Sequence, residues 1–389
     1  MRKVYLDYSA TTPIDPRVME SMIAAFGSGF GNASSVHSFG RDARALLEQS
    51  RERIAEAFGA RSDEIYFTSG GTESDNHAIK GIAQAAARSG KNEIVIAPVE
   101  HHAVLHPAES LRKSGFELKY LPVDSYGGVD PSAVERAVGR NTALVSVMYV
   151  NNEVGTINDI RSIGTMLRKA EIPFHSDIVQ AVGKAEVSLQ DLNVDAASMS
   201  AHKFYGPKGI GAIFIRKGTA IDSFIEGGSQ ESNRRAGTEN VPLAVGFAKA
   251  AELVTDSRSV EVSRISALKQ RLRTKLQQGF EGILFNGHIT EAVPHILNIS
   301  FDSAICPLDG DALIMGLDLM GVAVTSGSAC TSGSLQPSHV LTAMGRDSRT
   351  ARATVRFSLG RHTSDDEIDY AVDCLREVVG KIRKADSKA

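Results

Sequence analysis

Short apolar runs rich in β-branched residues alternate with longer helical patterns between about residues 60 and 255. Several of these runs are apolar throughout, which is typical of parallel strands that are buried on both faces. A chain with this alternation is restricted to an α/β fold, in which a mostly parallel seven-stranded sheet is flanked by helices. The predicted strands are Glu64–Thr68, Glu93–Ala97, Glu117–Pro122, Ala143–Val150, Pro173–Asp177, Ala196–Ser200 and Gly211–Arg216.

The pattern changes after about residue 256. A charged amphipathic helix is predicted over Glu261–Gln278, and it leads to a strand at Ile296–Phe301 and to further helices. One hydrophobic core stops growing at roughly 250–300 residues, so the 389 residues of this chain favour two domains. We expect a large domain over residues 14–255 and a smaller α+β domain formed by residues 1–13 and 256–389.

Two helix starts have clear capping signals. Asp130-Pro131 places an N-cap aspartate before a proline at the first helical position. Ser364, with Glu367 three residues later, forms the pattern of a capping box and predicts the start of the last helix.

Charge and cysteine content narrow the possible functions. The net charge of −3 gives no bulk attraction to nucleic acid or to an anionic membrane. No apolar run approaches the ~20 residues of a membrane span, and the N-terminal residues lack the apolar region of a signal peptide. Three cysteines without a Cys-x-x-Cys pair do not form a disulfide framework, so we expect a reduced, cytoplasmic protein.

Two polar elements at strand ends suit a carbonyl cofactor that carries a phosphate. Lys203 follows an apolar strand and precedes the glycine-rich turn at 206–209, so its amine can reach inward and form a Schiff base. A lone lysine is otherwise a surface residue. Ser69–Glu73 opens a helix with Gly70, Gly71 and Thr72, whose amide groups can hold a phosphate. A plain capping turn would show the same residues.

The third element is Asp177, at the end of another strand. A buried aspartate that faces a pyridine nitrogen keeps the ring protonated, and strand alternation puts Val179 on the same face, beneath such a ring. An aspartate that caps the next helix is the alternative. Because ligands of α/β sheets bind outside the carboxyl ends of the strands, the three elements are expected to meet there. Together they predict a pyridoxal-phosphate site.

Eight short motifs then occur in register along the chain. They are Tyr5–Pro13, Phe30–His37, Thr68–Ser74, Glu100-His101, Asn151–Gly155, Ser200–Lys203, Arg235–Thr238 and Ser326–Ser332. On these motifs the chain resembles the cysteine desulfurases of the NifS/IscS type, fold-type-I pyridoxal-phosphate enzymes of the class V aminotransferase-like family, over nearly its whole length. The resemblance implies conversion of L-cysteine to L-alanine, with sulfur delivered to iron–sulfur cluster or other sulfur-requiring biosynthesis.

The resemblance also implies a role for each matched residue. Lys203 holds the cofactor as a Schiff base and moves the Cα proton, while His101 stacks on the ring and assists proton transfer. Asp177 pairs with the ring nitrogen and Gln180 with the phenolic oxygen. The phosphate is bound by Gly71, Thr72, Ser200, His202 and Thr238 of the partner subunit. Asn152 and Arg356 hold the substrate carboxylate, for which a planar guanidinium is well suited.

Cys330 is the residue to which the resemblance assigns the sulfur, as a persulfide. It lies in the small-residue run 325–334, which has no core pattern and predicts an exposed, mobile loop whose thiol can ionise. Cys374 lies on the apolar stripe of the last helix and is predicted to be core, whereas Cys306 is ambiguous. His101, His102 and His106 lack a second group of ligands, so no metal is expected.

Some residues depart from the family pattern. Ile178 replaces a smaller residue, Ser229 replaces a glycine, and Ser232-Asn233 replaces an Arg-Gly pair, which leaves the role of Arg235 in phosphate or dimer contacts in doubt. The chain stops at Ala389, soon after its last helix, so the usual iron–sulfur scaffold partner cannot be assumed.

Two other functions remain open at this point. One is a selenocysteine lyase or another pyridoxal-phosphate-dependent C–S lyase, which would not need Cys330. The other is a cofactor-binding sulfur-relay subunit with low activity of its own. For the desulfurase, the resemblance implies a homodimer and a protein sulfur acceptor.

Overall fold

The computed structural model describes residues 2–327 and 337–386. Its strands are β1 (Val4–Tyr5), β2 (Ile65–Thr68), β3 (Glu93–Ile96), β4 (Glu117–Tyr120), β5 (Thr142–Ser146), β6 (Phe174–Asp177), β7 (Ala196–Ser200), β8 (Gly211–Ile215), β9 (Ile283–Asn286), β10 (Ile296–Phe301), β11 (Val322–Ala323) and β12 (Thr354–Ser358). Its helices are α1 (Pro16–Ser28), α2 (Ser38–Ala57), α3 (Gly71–Ala87), α4 (His102–Arg112), α5 (Pro131–Ala137), α6 (Ile160–Lys169), α7 (Gln230–Asn233), α8 (Val241–Gly279), α9 (Gly310–Leu319), α10 (His339–Ala343), α11 (Ser348–Arg352) and α12 (Asp365–Asp386).

The seven predicted strands form one sheet, in the order β2-β8-β7-β6-β5-β3-β4. The strands from β7 to β4 are parallel to one another, whereas β8 runs antiparallel to both of its neighbours. Both faces of the sheet are covered: Val95 of β3 packs into one apolar cluster, and Ile94 and Ile96 pack into another on the opposite face. The predicted α/β class and its mostly parallel sheet are therefore confirmed.

A separate core lies in the C-terminal part of the chain. It is built on the antiparallel sheet β12-β10-β9 and on the parallel pair of β1 with β11, so that Val4 and Leu6 pack with Leu297 and Phe357. Cys374 is buried in this core, as its position on the apolar stripe predicted. The C-terminal core includes the first residues, as the predicted smaller domain does, but Val293, Ile296 and Val340 of that predicted domain pack into the core of the large sheet, so the division into two domains stays a prediction.

The long helix α8 begins twenty residues earlier than the predicted start at Glu261. Asn240 caps it by accepting a hydrogen bond from the amide of Leu243, and a proline stands in its first turn. Phe247 packs into the core of the large sheet, whereas Leu272 packs into the C-terminal core. The change of composition near residue 256 therefore marks the point where one continuous helix passes from one core to the other.

The two predicted helix caps are present. The Asp130 carboxylate accepts a hydrogen bond from the amide of Ser132 at the start of α5. Before α12, the Ser364 amide donates to the Glu367 carboxylate, and the Glu367 amide donates to the Ser364 hydroxyl. None of the helices in the described ranges combines the length and the apolar character that a membrane crossing requires.

Candidate functional site

A cavity of about 350 Å³ lies at the carboxyl ends of the parallel strands. Most of the predicted site residues line it: Gly71, Thr72, His101, Asn152, Asp177, Gln180, Ser200, His202, Lys203 and Arg356. Ser9, Ala10, Asp75, Val179, Thr325 and Gly327 complete the lining. Thr238 of this chain is exposed and does not line the cavity, and Cys330 lies outside the described residues.

The N-terminus of α3 opens into the cavity at Gly71. A Cβ atom on Gly71 would lie 3.0 Å from Val179 Cγ2 and 3.4 Å from Ser200 Cβ, so any larger residue would reduce the space in front of the helix. Gly211 of β8 lets this strand approach the start of α3 closely, because a Cβ atom on Gly211 would lie 2.6 Å from the carbonyl carbon of Gly70. The amide groups of this helix start therefore face a space that fits a phosphate.

Asp177 ends β6 with a buried carboxyl group. One carboxylate oxygen accepts a hydrogen bond of 2.9 Å from the amide of Val179. Burial raises the pKa of Asp177 to about 6, against the opposing effects of that hydrogen bond and of the Lys203 ammonium. A buried carboxylate with this environment fits the protonated nitrogen of a pyridine ring.

A second carboxyl group, Asp75, lies in the same cavity and was not predicted from the sequence. It is four residues after Gly71 on α3, so both residues lie on one face of the helix. Asp75 Oδ1 is buried without a hydrogen-bond partner, and His175 Nε2 lies 3.6 Å away. Burial and the Asp177 charge raise the pKa of Asp75 well above its usual range, and burial lowers the pKa of His175 to about 3. The His175 ring is therefore neutral near pH 7, and the Asp75 carboxyl holds its proton more tightly than an exposed aspartic acid does.

Lys203 follows β7 in a short 3-10 turn. Its Nζ donates hydrogen bonds to the carbonyl oxygens of Ser9 and Ala10, at 2.7 and 2.8 Å. Burial lowers the pKa of Lys203 to about 8, assisted by the Arg356 guanidinium and opposed by the Asp177 carboxylate. The amine is held at the cavity by these two carbonyl oxygens and loses its proton more easily than an exposed lysine does.

His101 caps α4, since its Nδ1 accepts a hydrogen bond of 3.1 Å from the amide of Ala103. Its ring remains accessible from the cavity although protein surrounds it. Burial lowers the pKa of His101 to about 4, and the Lys203 ammonium acts in the same direction. The ring is therefore neutral near pH 7, and because Nδ1 is an acceptor, Nε2 holds the proton.

Gln180 and His202 are both tied to the N-terminal segment of the chain. The Gln180 amide donates a hydrogen bond of 2.9 Å to the carbonyl oxygen of Ser9. His202 Nδ1 lies 3.1 Å from the Thr11 hydroxyl, and burial lowers the pKa of His202 to about 4. The residues after β1 thus hold the predicted cofactor residues Gln180, His202 and Lys203 in place.

The opposite side of the cavity is formed by Arg356 of β12, together with Thr325 and Gly327. We call it the C-terminal wall, and we call the side formed by Gly71, Asp177 and Lys203 the sheet wall. Arg356 Nη1 donates to the carbonyl oxygen of Asn152 at 2.8 Å, and Nη2 donates to the carboxylate of Asp7 at 2.9 Å. Arg356 Nε is buried without a partner among the described residues. A donor of this kind fits a carboxylate.

The departures from the family pattern have structural counterparts. Ile178 is fully buried in the core beside the sheet, as alternation predicted.

The backbone is unusual where Ser232-Asn233 replaces an Arg-Gly pair: Glu231, Ser232 and Asn233 all have positive φ angles, of 46°, 55° and 63°. Glu231 fixes this segment, because its buried carboxylate pairs with Arg51 at 2.7 Å.

Arg235 follows this segment and pairs with Glu73 of α3, with its Nε 2.8 Å from the carboxylate. Within this chain, therefore, the Arg235 guanidinium contacts a carboxylate in the first turn of α3, two residues after Gly71. Nothing in the structure accounts for serine at position 229.

Comparison with known proteins extends these observations. The family model described as aminotransferase class-V matches residues 4–371. The chain is 46% identical over 382 residues to the cysteine desulfurase IscS of Dictyoglomus turgidum, covering 98% of this chain and 96% of the relative. A solved structure described as a NifS-like protein superposes with a TM-score of 0.90 at 37% identity, covering 98% of this chain and 100% of that one. A structure described as SspA in complex with cysteine has a TM-score of 0.81 at 34% identity, with coverage of 92% and 99%.

Proposed function

Because the chain belongs to the aminotransferase class-V family and, within it, to the cysteine desulfurases, we propose that the cavity around Lys203 converts L-cysteine to L-alanine and that Cys330 receives the sulfur. The observation that supports this proposal most directly is the meeting of a helix N-terminus, a buried carboxylate and a lysine in one cavity. Family membership implies pyridoxal phosphate as the cofactor.

The residues on the sheet wall fit this cofactor. The N-terminus of α3 at Gly71 would hold the phosphate, with Thr72, Ser200 and His202 beside it. Asp177 would face the ring nitrogen, Val179 would pack beneath the ring, and the Lys203 amine would hold the cofactor as a Schiff base. When bound, pyridoxal phosphate supplies an electron sink for the bonds at the substrate Cα.

Lys203 would then move protons at the substrate. Its pKa of about 8 leaves an appreciable fraction of the amine neutral near pH 7–8, as a base must be. Release from the cofactor frees Nζ to accept the Cα proton and later to return it. His101 would donate a hydrogen bond from its Nε2–H, because its Nδ1 accepts a hydrogen bond from the amide of Ala103.

The C-terminal wall would bind the substrate carboxylate. Arg356 uses Nη1 and Nη2 in contacts with Asn152 and Asp7, which fix the plane of the guanidinium. Its Nε–H has no partner among the described residues and would donate to the carboxylate, with the Asn152 side chain beside it. Orientation by a planar, permanently charged group would place the substrate Cα toward Lys203.

Cys330 would accept the sulfur. The Cys330 thiolate attacks the substrate sulfur, so that an S–S bond forms while the Cβ–Sγ bond breaks. The electron pair of the broken bond passes to the carbon skeleton, which takes up protons and leaves as alanine. Gly327, which is three residues before Cys330 in the sequence, lines the cavity. The persulfide would then pass to a protein acceptor for iron–sulfur cluster or other sulfur-requiring biosynthesis.

A homodimer would complete the site. Thr238, the remaining predicted phosphate ligand, does not line the cavity of its own chain, which supports its contribution by the partner subunit. An exposed apolar surface on α1, α2 and the segment between them offers the contact: Met19, Ile23, Phe26, Phe30, Val36 and Phe39. Phe30 and Phe39 lie 5.3 Å apart between ring centroids, so the surface is continuous there.

The experiment that tests the function is the stoichiometry of the reaction. Purified protein is incubated with L-cysteine and a thiol reductant, and alanine and sulfide are quantified, with Cys330→Ala and the buried-core variant Cys374→Ala alongside. We expect equal yields of alanine and sulfide, lost in Cys330→Ala and kept in Cys374→Ala. Pyruvate and ammonia as products, or full activity of Cys330→Ala, would identify a C–S lyase instead. No turnover of cysteine by cofactor-loaded protein would identify a relay subunit.

A further inference from the structure

A second cavity, of about 420 Å³, lies where α8 meets the segment that joins β9 to β10. Its polar lining includes Lys184, Lys269, Arg273 and His288, and much of the rest is aliphatic. It is connected to the cofactor cavity through Lys184, whose Nζ donates a hydrogen bond of 2.7 Å to the carbonyl oxygen of Lys203. This cavity takes no part in the reaction described above.

Among the described residues, no carboxylate forms an ion pair with either lysine of this cavity, Lys184 or Lys269. Lys184 donates only to the Lys203 carbonyl, and Lys269 donates only to the Val293 carbonyl, at 2.8 Å, among the contacts of the described residues. An ammonium has three donors, so two on each lysine remain for a ligand. Burial lowers the pKa of Lys184 to about 7 and that of Lys269 to about 8, and neighbouring cations act in the same direction.

No carboxylate lines this cavity in the described part of the chain. Arg273 lies over the Phe285 ring, with its guanidinium carbon 4.3 Å from the centroid, and makes no ion pair with a described residue. Two other cations of the same helix behave differently: Arg271 and Lys275 pair with Asp369, at 2.6 and 2.8 Å. These two pairs face α12, whereas Lys269 and Arg273, on the cavity side of α8, have no acidic partner among the described residues.

His288 adds a fourth donor. Its Nδ1 accepts hydrogen bonds from the backbone amides of Thr290 and Glu291, so the proton of the neutral ring is on Nε2. The accessible apolar side of the cavity is formed by Ile157, Val262 and Ile289, with the buried Val293 and Ile296 behind them. The cavity thus presents several donors and no counter-charge opposite an aliphatic surface, although buried charges in proteins are ordinarily paired.

We propose that this cavity is a binding site for a small aliphatic carboxylate. The carboxylate lies between Lys184, Lys269 and Arg273, and the aliphatic part packs against Val262 and Ile289. A cavity of this size is in the range of small-molecule sites, and an aliphatic carboxylate matches both of its sides. An inorganic anion would leave the apolar side in contact with water.

The experiment is a calorimetric titration of the cofactor-loaded protein at pH 7 and low salt, with isovalerate and with its neutral isostere isovaleramide. We expect isovalerate to bind and isovaleramide not to bind. Lys269→Met keeps the aliphatic stem without the charge and should weaken isovalerate binding about tenfold. Arg273→Met should weaken isovalerate binding by a similar factor, and this variant replaces Lys269→Met in the experiment if Lys269→Met is unstable. Lys275→Met, on the α12 side of α8, is the matched control and should not change the affinity.

Because Arg356 also attracts carboxylates, the titration is repeated with Arg356→Gln. Isovalerate binding that survives in this variant and weakens in Lys269→Met supports the second site. Binding that is lost in Arg356→Gln and kept in Lys269→Met would assign the anion to the substrate site and overturn the proposal. Equal binding of isovalerate and isovaleramide, no binding of either, or displacement of isovalerate by equimolar inorganic phosphate would overturn it as well.

Discussion

The sheet wall and the C-terminal wall of the cofactor cavity hold their charged groups in different ways. On the sheet wall, Asp177 is buried and Lys203 is half-buried, and both have pKa values displaced toward neutrality, to about 6 and about 8. On the C-terminal wall, Arg356 is as deeply buried as Asp177, but a carboxylate and a carbonyl oxygen hold two of its nitrogens. A guanidinium also stays charged at any pH at which Asp177 and Lys203 titrate.

This difference separates two tasks. A group that must gain and lose protons needs a pKa near the working pH, which burial without full pairing provides. A group that must orient a carboxylate needs a fixed charge and a fixed plane, which pairing provides. We therefore expect changes on the sheet wall to act mainly on kcat and changes on the C-terminal wall to act mainly on KM.

The largest effect is expected from Asp177→Asn. An amide cannot keep the ring nitrogen protonated, so kcat for alanine formation should fall on the order of 10²-fold or more, with little change in KM. Steady-state kinetics with L-cysteine measure this, and Asp191→Asn, on the exposed surface, is the matched control. A rise in KM without loss of kcat would break the proposed separation of the two walls.

Arg356→Lys should have the next largest effect. Lysine keeps the charge but loses the planar fork, so KM for L-cysteine should rise about tenfold to a hundredfold while kcat falls less. Arg352→Lys, exposed on the neighbouring helix α11, should leave both constants unchanged. If kcat falls as far as it does in Asp177→Asn, Arg356 acts in the chemical step and the two walls share one task.

The pH dependence of cofactor attachment connects the two walls. Only the neutral Lys203 amine attacks the cofactor, so the attachment rate of apo-protein should rise about tenfold per pH unit below pH 8 and level off above it. Stopped-flow absorbance between pH 6 and 10 measures this rate. Because the Arg356 charge lowers the pKa of Lys203, Arg356→Gln should shift the profile to higher pH. A rate that still rises about tenfold between pH 8 and pH 9 would show that Lys203 titrates as an exposed lysine does.

The smallest effect is expected from Asp75→Asn. Burial and the Asp177 charge raise the pKa of Asp75 and so favour its protonated form, and an asparagine is close in shape to a neutral aspartic acid. We expect kcat at pH 7 to change by less than about twofold and the absorbance spectrum of the bound cofactor to be unchanged. A loss of tenfold or more, or a shift of that spectrum, would mean that Asp75 acts as an anion beside Asp177.

Local sequence patterns predicted much of the fold. All seven strands of the large sheet, the strand β10, the capping box of α12 and the buried position of Cys374 follow from periodicity and capping residues, which are properties of neighbouring residues. The start of α8 was not predicted. The first half of α8 is apolar and the second half is charged, because each half packs into a different core. The two halves therefore do not share one periodic pattern that would predict a single helix.

The candidate site was predicted less completely, because many of its contacts join distant parts of the chain. Asp7 meets Arg356 across 349 residues, and Ser9 meets Lys203 across 194. Asp75 belongs to the site only because α3 packs against the strands that carry Asp177. No local pattern shows these contacts.

What the sequence alone determined is the set of elements and the chemistry of the residues at their ends, because strands, helix starts and glycine turns depend on residues close in the chain. The tertiary structure decided the strand order, the antiparallel direction of β8, the proximity of Asp75 to Asp177 and the unpaired lysines beside α8. These features depend on burial and on charges brought together from distant segments. Burial and distant charges set the pKa values of Asp177 and Lys203, so only the folded chain decides how these two residues titrate.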